Sequence, residues 1–156
     1  MTVSTQRSPG SAPAPDRWEV HAAAGHLADA VVEFVRERDW VTPVEIQQRF
    51  AAYFPVHGTF DWASGTHRNV IFWVGLSEEL ADAIIDLLRA RRLFMHPASW
   101  WTYCADGVLL NLPLVKCVPP GGYKRPHWAP TALRLVPPDN GGPRRRPRAR
   151  KGKQMG

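Results

Sequence analysis

Seven cations fall close together near the C-terminus: Arg144, Arg145, Arg146, Arg148, Arg150, Lys151 and Lys153, with no acid from Asn140 onward. Side chains packed this densely neutralise phosphates and release their counterions, which gives affinity for nucleic acid without sequence discrimination and with steep salt dependence. A solubilising tail is a second use for such an arm. Weak electrostatic attachment to an anionic membrane is a third, with no amphipathic segment beside it to strengthen it. A second cationic run, Gly122-Tyr123-Lys124-Arg125-Pro126-His127-Trp128, interleaves Lys124 and Arg125 with aromatic rings. That pairing suits a loop that grips phosphate while a ring stacks on an unpaired base, as in single strands or RNA. Equally, Tyr123 and Trp128 can pin a Pro-rich segment onto the domain. The third candidate is His67-Arg68-Asn69, where Arg matches guanine and Asn matches adenine.

Metal chemistry and catalysis find less support. His96, Cys104, Cys117 and His127 are suitable zinc ligands by type, but separations of 8, 13 and 10 residues match no paired knuckle. No metal or other cofactor is expected. The chain has no Gly-x-Ser-x-Gly, His-Glu-x-x-His or phosphate-loop pattern, and Pro119-Pro120-Gly121-Gly122 lacks the Lys and helix a phosphate loop needs. The chain therefore reads as a non-enzyme. Glu78, Asp82 and Asp86 recur every four residues and form one acidic stripe, either a solvated face or a dock for a basic protein partner.

The elements that must position these groups follow from hydrophobic periodicity. Val20, Ala23, Leu27, Val31, Phe34 and Val35 step by three and four, predicting one amphipathic helix over Trp18 to Arg38. Thr42-Pro43-Val44-Glu45 combines a capping Thr, Pro at the first helical position and Glu three residues after the cap. A helix running to Phe54 and ending at Pro55 is predicted there, with Trp40 and Val41 as a short extended link. The stretch from Val56 to Gly65 reads as loop. Asn69 to Val74 reads as a short buried helix, capped by Thr66 and ended by Gly75. Ser77 caps a further helix over Glu78 to Arg91, with acids in its first turn and Arg89, Arg91 and Arg92 at its end.

Strands are predicted next, at Leu93 to His96, Trp100 to Cys104 and Val108 to Leu112, with Asp106-Gly107 as a hairpin turn. Adjacent Trp100 and Trp101 would then point to opposite faces, one of them a contact surface. Trp40, Trp62 and Trp73 are expected in the core. One edge strand is allowed at Leu133 to Val136.

A chain of 156 residues suits one modest domain. The predicted division is a disordered tail over 1–16, a domain over 17–138 with a Pro-rich extension, and a basic disordered arm over 139–156. Residues 1–139 carry 13 basic against 14 acidic side chains, a formal net charge of −1, so the chain's overall +6 resides in the arm. No stretch offers the roughly 18 to 20 apolar residues of a membrane span and the N-terminus lacks a signal-peptide core, so an intracellular, cytoplasmic protein is expected. Two cysteines fit a reducing compartment.

Helix, short extended link, helix, further helix and antiparallel hairpin is the element order of winged helix-turn-helix domains, which the span from Trp18 to Leu112 resembles. Its part from Gly75-Leu76-Ser77-Glu78-Glu79-Leu80 to Leu112-Pro113 is similar to small helix-turn-helix proteins of actinobacterial phages. The likeness covers about 95 residues. It implies an α+β, winged-helix-like fold of three to four helices followed by a hairpin or three-stranded wing, with double-stranded DNA as ligand, a helix in the major groove and a role in transcription regulation. Twelve residues separate Phe54 from His67, against three or four in the compact motif. Phosphates repel the acidic helix from Glu78 onward, which leaves the one beginning at His67 as the expected reader. The expected nucleic-acid contacts are thus His67, Arg68, Asn69, Arg91, Arg92, Lys124, Arg125 and the seven cations of the arm. The competing expectations are an RNA-binding protein and a protein-interaction module, inhibitor or adaptor, using Glu78, Asp82, Asp86 and exposed Trp residues.

Overall fold

The computed structural model describes residues 13–139. Most of the predicted N-terminal tail, and all seven cations of the arm, lie outside the described residues.

The first predicted helix is two. Helix α1 (Arg17–Ala23) and helix α2 (Leu27–Arg38) are separated at Gly25, whose φ of +80° a side-chain-bearing residue adopts only at a cost. The break rotates the buried face: α1 sends Trp18 and Ala22 inward, while Val20 and Ala23, expected in the core, are exposed. Trp18 stacks on Phe50 at 4.9 Å and meets Phe34 edge-on at 5.2 Å, an aromatic knot joining the first three helices.

Helix α3 (Pro43–Phe50) starts as its sequence dictates, with Thr42 Oγ1 accepting the Glu45 N–H at 3.1 Å. Its last regular residue is Phe50, after which a turn carries the chain to Pro55. Helix α4 (Glu78–Arg89) likewise has the expected cap. Ser77 Oγ accepts from Leu80 N–H at 3.1 Å and donates to Pro55 O at 2.7 Å, so one hydroxyl both starts the helix and ties down the preceding loop.

Between α3 and α4 the expected loop and short helix are replaced by an antiparallel hairpin, β1 (His57–Ala63) and β2 (Arg68–Leu76). The physical reason is composition. Val70, Ile71, Phe72, Trp73 and Val74 are β-branched or aromatic, lose rotamer freedom in a helix and fit a pleated surface. Thr66 caps nothing; it sits in the hairpin turn with Ser64 Oγ accepting its N–H.

A second correction concerns the predicted wing. Trp100 to Ala105 forms helix α5, capped by Ser99, and Asp106-Gly107 closes that helix rather than turning a hairpin. Gly107 at φ +73° is the left-handed residue past a helix end, and its N–H reaches Cys104 O at 3.1 Å. Val108 to Leu112 forms no strand. The antiparallel partner of β3 (Phe94–Pro97) is instead β5 (Thr131–Arg134), far along the chain. Strand β5 begins two residues before the expected Leu133 to Val136, and on its other side Leu133 forms a single bridge, exchanging two backbone hydrogen bonds with Val41 at 2.7 and 3.1 Å. Strand β4 (Gly122–Trp128) has no counterpart in the sequence reading; it lies parallel to β2, giving the order β1-β2-β4.

The fold is α+β, with five helices and two small sheets among the described residues. Two buried polar centres hold the layers together. Trp73 Nε1 donates to Gln47 Oε1 at 2.8 Å, and Gln47 Nε2 donates to Val56 O and Gly75 O, both at 3.1 Å, locking α3 to the hairpin. Tyr103 packs edge-on against Trp128 at 4.8 Å, and its hydroxyl donates to Thr131 O at 2.6 Å, locking α5 to β5. No described helix is long and apolar enough to cross a membrane.

Candidate nucleic-acid interface

Parallel pairing of β2 with β4 brings together cations more than fifty residues apart in sequence. Arg68 pairs with Gly122 and Val70 with His127. A Cβ at Gly122 would collide with the Arg68 backbone, so only glycine permits this approach. Asn69, at φ +60°, turns its amide Nδ2 to donate to Tyr123 O at 2.9 Å. Exposed Arg68, the first residue of β2, thus lies next to Gly122, with exposed His67 just before it, and exposed Lys124 and Arg125 fall in the stretch of β4 that bulges opposite Asn69.

Strands β2 and β4 themselves carry no Asp or Glu, as residues 62–77 and 107–138 contain none, and the one acid of this sheet is the exposed Asp61 on β1. A local field of one sign on a partly apolar sheet is what phosphate attraction requires.

The structure also divides the aromatic residues of this segment. Trp128 is buried and its Nε1 donates to Phe72 O at 3.2 Å. Tyr123 stacks on His127 at 3.6 Å and donates its hydroxyl to Cys117 O at 2.7 Å. Both are occupied in fixing β4, which favours pinning over base stacking. Asn69 is likewise spent on β4, and His67-Arg68-Asn69 opens a strand rather than the expected reader helix.

Arg91 and Arg92 belong to another neighbourhood. Arg92 pairs with Asp29 of α2 at 3.6 Å, and the Arg91 guanidinium lies over the Phe94 ring at 5.8 Å. Arg144, Arg145, Arg146, Arg148, Arg150, Lys151 and Lys153 lie outside the described residues.

Helix α4 turns Leu80, Ala81, Ile84 and Leu87 inward and leaves Glu78, Asp82 and Asp86 exposed. On α5, Trp101 is 66% exposed and stacks at 4.0 Å on half-buried Trp100, so both rings lie together rather than on opposite faces. Of the tryptophans expected in the core, Trp62 and Trp73 are buried; Trp40 is half exposed beneath the Arg134 guanidinium at 4.3 Å. His96 is buried with Nε2 against Val136 O at 2.7 Å, and Cys104 lies on α5 rather than on a strand.

Comparison with protein-family models, with curated proteins and with solved structures finds no match to this chain.

Proposed function

We propose that the protein binds double-stranded DNA as a transcription regulator, gripping phosphates with the β2–β4 cations while the Arg-rich arm supplies much of the nonspecific affinity. The observation that carries this reading is the pairing that puts exposed Arg68, Lys124 and Arg125 on adjacent strands β2 and β4, neither of which contains an acid. The winged-helix reading rests on order and pairing: helix α2, the extended link at Val41, helix α3, helix α4, then the antiparallel pair β3 and β5, with the link itself bonded to β5. On this reading the β1–β2 hairpin is an insertion between the second and third helices. The acidic face of α4 turns away from phosphate, so the β2–β4 surface takes the place of a groove-reading helix.

The test is fluorescence anisotropy of a labelled random-sequence duplex across a salt series. Replacing Arg68, Lys124 and Arg125 by Ala in the full chain should flatten the log K against log salt slope by about 0.9 for each phosphate no longer neutralised. An unchanged slope would remove the folded body from the interface, and tighter binding to single-stranded RNA would replace DNA as the ligand.

A second reading has its own observation: Trp101 exposes two thirds of its surface, and Val108 and Leu109 just after its helix are exposed too. An interaction module would use that patch, or the stripe of Glu78, Asp82 and Asp86, to hold a protein. Trp101→Ser, or Asp82→Lys with Asp86→Lys, should then abolish capture of a partner and leave duplex binding intact.

A further inference from the structure

The junction between α1 and α2 gathers His21, His26 and Asp29, with one ligand atom from each lying within 4.8 Å of the other two. Backbone geometry accounts for the gathering. His21 is in the last turn of α1, Gly25 reverses the chain at positive φ, and His26 donates its N–H back to His21 O at 2.9 Å. Asp29 follows on the first turn of α2, three residues after His26.

His26 occupies the helix N-cap, where Ser, Thr, Asp or Asn normally accepts a backbone N–H, yet its side chain makes no capping bond. Among the described residues neither imidazole has a hydrogen-bond partner, so both offer lone pairs to a further ligand. Asp29 is steadied by the cation that follows α4: Arg92 approaches its Oδ1 at 3.6 Å. A carboxylate oriented by an outer partner is the usual support of a metal ligand.

We propose that His21, His26 and Asp29 bind one divalent transition ion of the zinc class, with water or a partner's ligand completing the coordination. Two imidazoles and one carboxylate match the donor preferences of Zn²⁺ and of its spectroscopic substitute Co²⁺. Ligands about 2.0–2.2 Å from a tetrahedral ion lie roughly 3.3 Å apart, so the three groups would have to draw closer than their present separations of up to 4.8 Å. His26 and Asp29 are exposed and His21 half-buried, which leaves their side-chain rotations open. The bound ion would clamp α1, and with it Trp18, to α2.

The test is a Co²⁺ titration of the full chain followed by visible ligand-field absorption, with the Zn²⁺-induced shift in melting temperature as a second readout. One Co²⁺ per chain is expected, displaced by Zn²⁺. His21→Ala and His26→Ala should each weaken binding at least about tenfold and abolish the Zn²⁺ shift, with circular dichroism unchanged because both rings lie outside the core. His57→Ala and His127→Ala should bind as the parent does. Binding that survives in the His21→Ala, His26→Ala double variant, or an absent ligand-field spectrum in the parent, would overturn the site.

Discussion

Gln47 shows how one polar side chain fixes the relation of two layers. It is 3% exposed and satisfies Trp73 Nε1, Val56 O and Gly75 O at once. Gln47→Leu keeps the volume but leaves the buried Trp73 Nε1 without its acceptor and removes a donor from Gly75 O, while Val56 O keeps the Ser77 N–H at 3.0 Å; an unsatisfied buried group costs about 1–3 kcal/mol. Urea unfolding should therefore show a destabilisation of about 1–3 kcal/mol, with the midpoint moving and the slope unchanged; a change below about 1 kcal/mol would mean water replaces the amide. Tyr103 makes a different prediction, in pH. Its hydroxyl is buried and bonded to Thr131, and burial raises its pKa above the ordinary phenol value. A raised folded pKa contributes stability that is complete below the unfolded value of about 10 and is lost as pH rises toward the folded one. Stability of the parent should thus decline above about pH 10. Tyr103→Phe should be less stable at neutral pH and flatter through that alkaline window, as chemical unfolding at several pH values would show.

Two glycines separate conformational strain from steric collision at the level of elements. Gly107 ends α5 at φ +73° with open space where a Cβ would stand, so Gly107→Ala should cost only about 1 kcal/mol of left-handed strain. Gly122 combines φ +93° with the Arg68 backbone in the way of a Cβ. Gly122→Ala must push β4 off β2, so it should cost clearly more than Gly107→Ala in thermal unfolding and also flatten the salt dependence of duplex binding; equal costs would mean the β2–β4 approach gives way freely. The same contrast explains what the sequence could convey. Local signals are legible wherever a side chain acts on its own helix: Thr42 and Pro43 start α3, Ser77 starts α4. Asp106-Gly107 is ambiguous because a left-handed glycine ends a helix as readily as it turns a hairpin, and Ser99 before Trp100 is the signal that favours a helix. Alternation in His57 to Ala63, with Phe60 and Trp62 inward and Thr59 and Asp61 outward, marks a strand that the neighbouring Gly58 obscures. Nothing local reveals β4 beside β2, because parallel pairing is settled by packing across more than fifty residues. So Arg68, Lys124 and Arg125 are legible as cations, but not as residues of neighbouring strands.

At the scale of the whole molecule, charge is divided between a body near neutrality and an arm holding seven cations, while within the body the exposed acids of α4 and the exposed cations of β2 and β4 lie on different elements. If both cationic regions engage one duplex, the phosphates they neutralise add in the salt slope, each contributing about 0.9. Four forms of the full chain distinguish this from independent action: the parent; the Ala triple at Arg68, Lys124 and Arg125; an arm with Arg144, Arg145, Arg146, Arg148, Arg150, Lys151 and Lys153 changed to Gln; and both together. The arm variant should lose the larger part of the slope yet keep a residual equivalent to roughly three phosphates, and the doubly changed form should not bind at all. Linkage adds a second signature, because a tethered arm raises the effective concentration of DNA at the sheet. The fall in affinity when both regions are changed should then differ from the product of the two separate falls. If the two effects simply multiply and the arm variant retains no salt-dependent binding, the sheet does not touch the duplex on its own, and the body would be left to its other exposed surface, Trp101 with Val108 and Leu109.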